Sequence, residues 1–223
     1  MDSEVPPVLP TASPPAAPVP RKSRTWLVVV LGLAGAALLG ILVVVGSGAL
    51  FVLTAKEQPL SAKDKAALLT IEDVGPWMEG FSPDKSLESF SKKKYLDGSY
   101  DIEYEFDDPA NEDAPYVMCS ITVEKKISDA LVSYKAMHAG LNIGFAAEGE
   151  VELEERNSLF QWGDASKFSL IMYEGAPVGM VFSARKDIRV FLISVSGVYS
   201  DDPGPIEDLL IDQLRALEQL PAP

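Results

Sequence analysis

Three features of the sequence predict an α+β domain, with an antiparallel sheet of about five to six strands covered by helices on one face and preceded by one transmembrane helix. The first is an uncharged run of 29 residues, Trp26 to Thr54, set directly behind Arg21, Lys22 and Arg24. The second is the strict alternation of Tyr100, Ile102, Tyr104 and Phe106 with Asp101, Glu103, Glu105 and Asp107, the period of two of a strand with one dry and one wet side. The third is a leucine-rich stripe at helical spacing near the C-terminus, which requires a cover.

In chain order, residues 1–25 read as a disordered, Pro-rich cytoplasmic tail ending in the basic cluster. Seven of the first 20 residues are proline, a composition that favours extended polyproline II conformations over a packed core. Pro6-Pro7 and Pro14-Pro15 suit an aromatic-lined groove, although a passive tether is the simpler role. Residues 26–54 then read as a transmembrane helix. At about 1.5 Å per residue they reach about 43 Å, against a hydrocarbon core of about 30 Å. A cleaved secretory signal would have an apolar region of only about 7 to 15 residues. Cations precede the run and Lys56 is balanced by Glu57 after it, so the positive-inside rule places the N-terminus in the cytoplasm. Gly32, Ala36 and Gly40 recur every four residues, a small-residue face that would let a second copy of the span approach.

Residues 55–60 read as a linker and 61–223 as the extracytoplasmic domain. A first helix is expected from Ser61 to about Asp73, with Asp64 in the capping-box position. Asp97-Gly98 reads as a two-residue hairpin turn joining Ser89–Leu96 to the acidic strand, with Lys92, Lys93 and Lys94 facing its carboxylates. Tyr116–Lys125 is the next strand. Ser128 caps a helix carrying Ala130, Leu131, Tyr134, Met137, His138 and Leu141, which Gly140 or Gly144 would end. A weaker strand at Glu150–Arg156 precedes strands at Lys167–Tyr173, Val178–Arg185 and Val190–Val198. Their short connections, Glu174–Gly179 and Arg185–Asp187, imply a meander. The last helix follows Pro203-Gly-Pro205, with Ile206, Leu209, Leu210, Leu214, Leu217 and Leu220 on one stripe and Gln213 as its weak point.

Charge and chemistry narrow the function classes. The first 25 residues carry a balance of +1 and the span carries none, so the remainder holds −15 of the chain's net −14. Nucleic acid and anionic headgroups are repelled by such a surface at long range. Cys119, the sole cysteine, sits on the apolar side of its strand as a small hydrophobe, and no intrachain disulfide can form. His138, the sole histidine, leaves little material for a zinc site or a nucleophile–base–acid triad. No phosphate-binding loop, dinucleotide fingerprint or serine elbow is present. Asp107–Asp113 is rich in oxygen ligands but lacks the order of a calcium loop. Neither a catalytic residue, a cofactor nor a metal ligand is therefore assigned, and enzyme activity is not expected. Trp77 and Phe81 in Gly75–Phe81, and Trp162 in Phe160–Asp164, lie outside the regular stripes and are candidate partner contacts, with capping of the core as the plainer role.

The Glu174–Gly179 hairpin, the Val190–Val198 strand and the closing helix Ile206–Leu220, about a quarter of the chain, resemble small bacterial envelope domains with a PsbP-like α+β sandwich on a single membrane anchor. That resemblance implies an accessory or binding role more than catalysis, and it supplies no functional residues. The expectation is a single-pass inner-membrane protein that touches lipid through residues 26–54. Its outer domain would meet another envelope protein, and homodimerisation through the span is an added expectation. The alternative is an envelope domain that holds a small apolar ligand between sheet and helices.

Overall fold

A computed structural model describes residues 55–111, 113–147, 149 and 151–223. The expected tail, the span and its Gly32, Ala36 and Gly40 face lie outside the described residues. Among the described residues no helix is long and apolar enough to cross a membrane.

The elements are β1 (Lys56–Glu57), α1 (Ala62–Ala66), α2 (Ile71–Val74), β2 (Glu88–Lys94), β3 (Tyr100–Phe106), β4 (Tyr116–Val123), α3 (Ile127–Ala147), β5 (Val151–Glu155), β6 (Ala165–Tyr173), β7 (Ala176–Lys186), β8 (Arg189–Ser196) and α4 (Pro203–Glu218), with 3-10 turns at Gly75–Trp77 and Lys85–Leu87. The strands form one antiparallel sheet in the order β1-β2-β3-β4-β8-β7-β6-β5. This corrects the expected five to six strands. β1 occupies part of the expected linker, Lys56 pairing with Lys94 and Glu57 with Lys93.

Helices lie on both faces of the sheet, which corrects the expectation of cover on one face. On the first face α1, α2 and α4 bury Tyr104, Phe106, Cys119, Ile121, Phe182, Phe191 and Ile193. On the second, Leu141 and Phe145 of α3 join Val151, Ile171, Val181 and Leu192 in a separate cluster. The reason lies in β6 to β8, whose cores run apolar without alternation, Leu170-Ile171, Met180-Val181-Phe182 and Phe191-Leu192-Ile193. Strands buried on both sides carry such continuous runs. β3 and β4 alternate strictly, and α3 does not extend over β3, whose Asp101, Glu103 and Glu105 are not fully buried.

Local chemistry sets the helix boundaries. Ser61 caps α1 and Asp64 reciprocates, a closed capping box. Thr70 and Asp73 form a second box at α2, so the single expected helix is two short ones separated by the buried Ala67, Leu68 and Leu69. The Ile71 N–H donates to the buried Tyr104 hydroxyl at 2.9 Å, tying α2 to β3. α3 runs 21 residues, through Gly140 and Gly144. Asp202 caps α4, accepting from the Gly204 N–H at 3.1 Å.

Register corrects the lysine ladder. Lys92 pairs with Ile102 and Lys93 with Asp101, and alternation then sends them to opposite faces. Only Lys93 reaches a β3 carboxylate, Glu103 at 3.7 Å. Lys92 turns inward to both carboxylate oxygens of Asp64 at 2.9 Å and lies 4.7 Å from the Tyr100 ring centre. Burial alone would raise the Asp64 pKa, but bonds from Lys92 and Ser61 outweigh it and lower the net value. The 95–99 connection has five residues rather than two, with Tyr95 donating to Ser99 O and Gly98 at φ 99°. The Glu174-Gly175 turn holds both residues at positive φ, 50° and 77°, the geometry of a tight hairpin.

Candidate functional site

A cleft of about 410 Å³ opens beside α1 and α2, with the Lys85–Leu87 turn, the start of β2 and one turn of α4 also contributing to it. Its position follows from the break between the two short helices. Leu68 and Leu69 pull the chain onto the sheet, while Lys65 before them and Glu72 after them stay at the rim. Glu72 and Lys85 form an exposed ion pair across that rim. The Lys65 ammonium stands 5.0 Å from the centre of the Phe90 ring, which also lines the cleft.

Two residues bordering the cleft each bury an oxygen that lacks a hydrogen-bond partner among the described residues. Oε1 of Glu88, at the start of β2, and Oε1 of Gln213, from the leucine stripe of α4, are both buried without a donor. Gln213 is only 9% exposed. Buried polar atoms in native folds nearly always have partners, and each orphan costs about 1–3 kcal/mol. Both oxygens are closed off from solvent, so they stand as a cost to stability beside the cleft and not as an open acceptor site. The polar lining differs in chemistry from the apolar chamber that a ligand held between sheet and helices would need.

Beneath α3, the Ser183 Oγ of β7 lies 3.1 Å from the His138 Nε2, and the Tyr134 ring meets the imidazole edge-on at 4.6 Å. Burial, reinforced by Lys167, lowers the His138 pKa, so the ring is neutral at pH 7. Hydroxyl and base are thus adjacent. Ser183 is 1% exposed in mid-strand, and no carboxylate bonds to the imidazole among the described residues. A hydroxyl so enclosed meets no substrate, and the trio serves to join α3 to the sheet.

The residues singled out in the sequence do not converge. Trp77 and Phe81 are half-buried against the core, Phe81 edge-on to Phe106 at 6.4 Å, at the end where β3 finishes. Trp162 is also half-buried, its backbone N–H donating to Ser166 Oγ at 3.1 Å, at the opposite end of the strands beside Arg185. Cys119 accepts from the Leu69 N–H at 3.3 Å, and burial pushes its thiol up to about 12. In the Asp107–Asp113 loop, Asp108 and Asn111 side chains accept from Ala110 and Asp113 N–H groups at 3.1 Å. Glu112 lies outside the described residues. Among the described residues no group of three or more His, Cys, Asp or Glu is placed to hold a metal ion.

Sequence reasoning marked Gln213 as a flaw in a stripe and gave the cleft no other signal. Glu88 was unmarked, because nothing in its neighbours sets it apart from the chain's many surface carboxylates. No family model, no curated protein and no solved structure matches this chain.

Proposed function

We propose that residues 55–223 form an extracytoplasmic interaction domain, tethered to the inner membrane by residues 26–54, that docks on a basic envelope protein. The observation that carries this reading is the outward side of α3. Ile127, Leu131, Val132 and Ile143 are exposed there, Ile143 by 68%, and Asp129 and Lys135 are the only formally charged residues of the helix. A helix apolar on all sides is ordinarily covered on all sides. The acidic side of β3 lies on the same sheet face. An apolar ridge beside carboxylates suits a partner whose own surface is apolar with a cationic rim. The resemblance to PsbP-like envelope domains points to the same kind of accessory role, and the apolar run with its leading cations supports the tether.

A photoreactive residue at Val132 or Ile143 in the full-length chain, irradiated in intact membranes, tests the docking surface, with Lys63 as control. One adduct species is expected from 132 and 143, absent from 63, lost with Leu131→Asp and weakened by high salt. Adducts only with a second copy of the chain would reassign the ridge to self-association. Adducts insensitive to both changes would remove the partner reading. Protease added to sealed spheroplasts should digest residues 55–223 from outside; digestion only after lysis would reverse the topology.

A further inference from the structure

The sheet ends on one side in an open strand. We infer that the free edge of β5 accepts an extended segment of a partner protein, paired antiparallel as a further strand, in which basic side chains alternate with apolar ones.

β5 pairs with β6 on one side and, among the described residues, with no strand on the other. The Arg156 N–H donates to the Phe168 carbonyl at 2.8 Å, so the backbones of Glu152 and Glu154, two and four residues earlier, also face β6. Alternation then turns the N–H and C=O groups of Val151, Leu153 and Glu155 outward. No other backbone group among the described residues bonds to them. Val151 is buried, whereas Leu153 is half-buried and Glu152 and Glu155 are exposed. The accessible stretch therefore runs from Glu152 to Glu155.

Native sheets ordinarily blunt their edges. The opposite edge of this one is blunted, since β1 has two residues and Pro59 follows two positions later. β5 has five residues, no proline and an unshifted register against β6. Its protection is charge, and charge discriminates between partners. A second copy paired about Leu153 would set Glu152 directly opposite Glu154 of that copy, and Glu154 opposite its Glu152. Like charges so placed destabilise a strand pair, and opposite charges stabilise it. Arg156 answers Glu154 at 2.8 Å and Lys167 answers Glu155 at 3.3 Å, while Glu152 has no ion pair among the described residues. On the other side of the strand, Leu153 packs at the margin of the cluster beneath α3, and an apolar residue opposite it would extend that cluster. In strand addition of this kind, main-chain bonds give affinity and alternate side chains give selectivity. The basic partner rests on the interaction reading, whereas the edge is a surface separate from the exposed side of α3.

The test titrates the full-length chain in nanodiscs with a capped Val-Lys-Val-Lys-Val peptide. Its valines, opposite Leu153 and Glu155, would aim their N–H groups at β5, and its lysines would stand opposite Glu152 and Glu154. Binding should saturate and should slow amide hydrogen exchange at Leu153 and Glu155 by about tenfold or more. Methylation of the valine nitrogens should raise the Kd by about tenfold or more. Methylation of the lysine backbone nitrogens, which point away from β5, should change it by less than about twofold. Both methylated peptides carry the same charge and leave the protein unaltered, so the comparison requires no variant to fold. Glu152→Lys combined with Glu154→Lys should abolish binding of the lysine peptide and confer binding of Val-Glu-Val-Glu-Val. Equal affinity for the two methylated peptides, or unchanged exchange at Leu153 and Glu155, would overturn the edge. Equal affinity of the native chain for the lysine and glutamate peptides would overturn the basic occupant. Crosslinking from 132 and 143 reports on the α3 ridge alone, so either surface can fail without the other.

Discussion

Gln213 concentrates a cost to stability in a single side chain. Replacing it by leucine removes an unpaired buried oxygen and extends an apolar stripe, so Gln213→Leu should stabilise the fold by about 1–2 kcal/mol. Urea unfolding read by tryptophan fluorescence measures this, and destabilisation would mean that the oxygen has a donor after all. Asp101 carries a comparable tension in a pH-dependent form. One oxygen accepts from the Tyr95 hydroxyl at 2.5 Å, and the Thr122 side chain also stands against the carboxylate. Burial pushes the carboxyl up to about 6 from 3.8, against hydrogen bonds from Tyr95 and Thr122, with Glu103 and Glu124 adding repulsion. The folded state therefore holds this proton more tightly than the unfolded chain does. The stability it contributes is complete below about pH 4 and is lost as pH rises through about 6. Asp101→Asn is neutral throughout, so its stability relative to the native chain should rise by about 1–3 kcal/mol between pH 4 and pH 7. A difference that stays constant with pH would place the titration elsewhere.

β7 shows how closely the strands are packed where the sheet is covered on both sides. Gly179 faces Ile171 and Ser196 across its two neighbours, and the β6 register shifts beside it between Ile171 and Met172. A Cβ there would stand 2.4 Å from the Val195 carbonyl oxygen and 2.9 Å from the Ser196 Cα. Both are backbone atoms that cannot turn aside, so Gly179→Ala should cost about 1–3 kcal/mol, whereas Gly75→Ala, which meets nothing within 4 Å, should cost far less. Equal melting temperatures for the two variants would refute the argument. The same packing explains which elements could be read from sequence. β3, β4 and the β6-β7-β8 meander follow from alternation and turn residues, because those signals are local. The capping box at Ser61 was visible for the same reason, but the second box at Thr70 was overlooked inside an apparently continuous helix. Cover on both faces depends on which strands neighbour β8. The pairing of β4 with β8 spans α3 and three strands, and no local pattern encodes it. Lys92 was assigned to the wrong face because a two-residue turn at Asp97-Gly98 would set it opposite Glu103; the five-residue connection shifts the register by one, to Ile102.

Across the whole molecule, the net charge of residues 55–223 hides an uneven distribution. The chain enters at Lys56, level with Lys94 at the start of the 95–99 loop. Lys125 and Lys126 follow the same end of β4, Leu96 is 69% exposed there and Ile127 57%. At the far end lie Asp107, Asp108, Asp113, Glu174, Asp201 and Asp202. The seven residues of β3 separate these poles by about 20 Å. Repulsion of anionic headgroups, expected from net charge, applies to the far pole; the near one sets Lys56, Lys94, Lys125 and Lys126 among Glu57, Asp97 and Glu124, with two apolar side chains exposed beside them. If residues 26–54 anchor the chain, no slack separates the bilayer from β1, and this end of the sheet must face the headgroups. Because Cys119 is buried with its thiol pushed up to about 12, a cysteine introduced at a surface position can be labelled alone. Spin labels at Leu96→Cys and Ala110→Cys in the full-length chain, reconstituted in nanodiscs containing anionic lipid, should then differ. The label at 96 should relax rapidly against a headgroup-bound paramagnetic chelate, and the label at 110, about 20 Å or more farther out, should not. Equal relaxation at both positions would mean that the sheet lies along the membrane, and stronger relaxation at 110 would invert the domain on its tether.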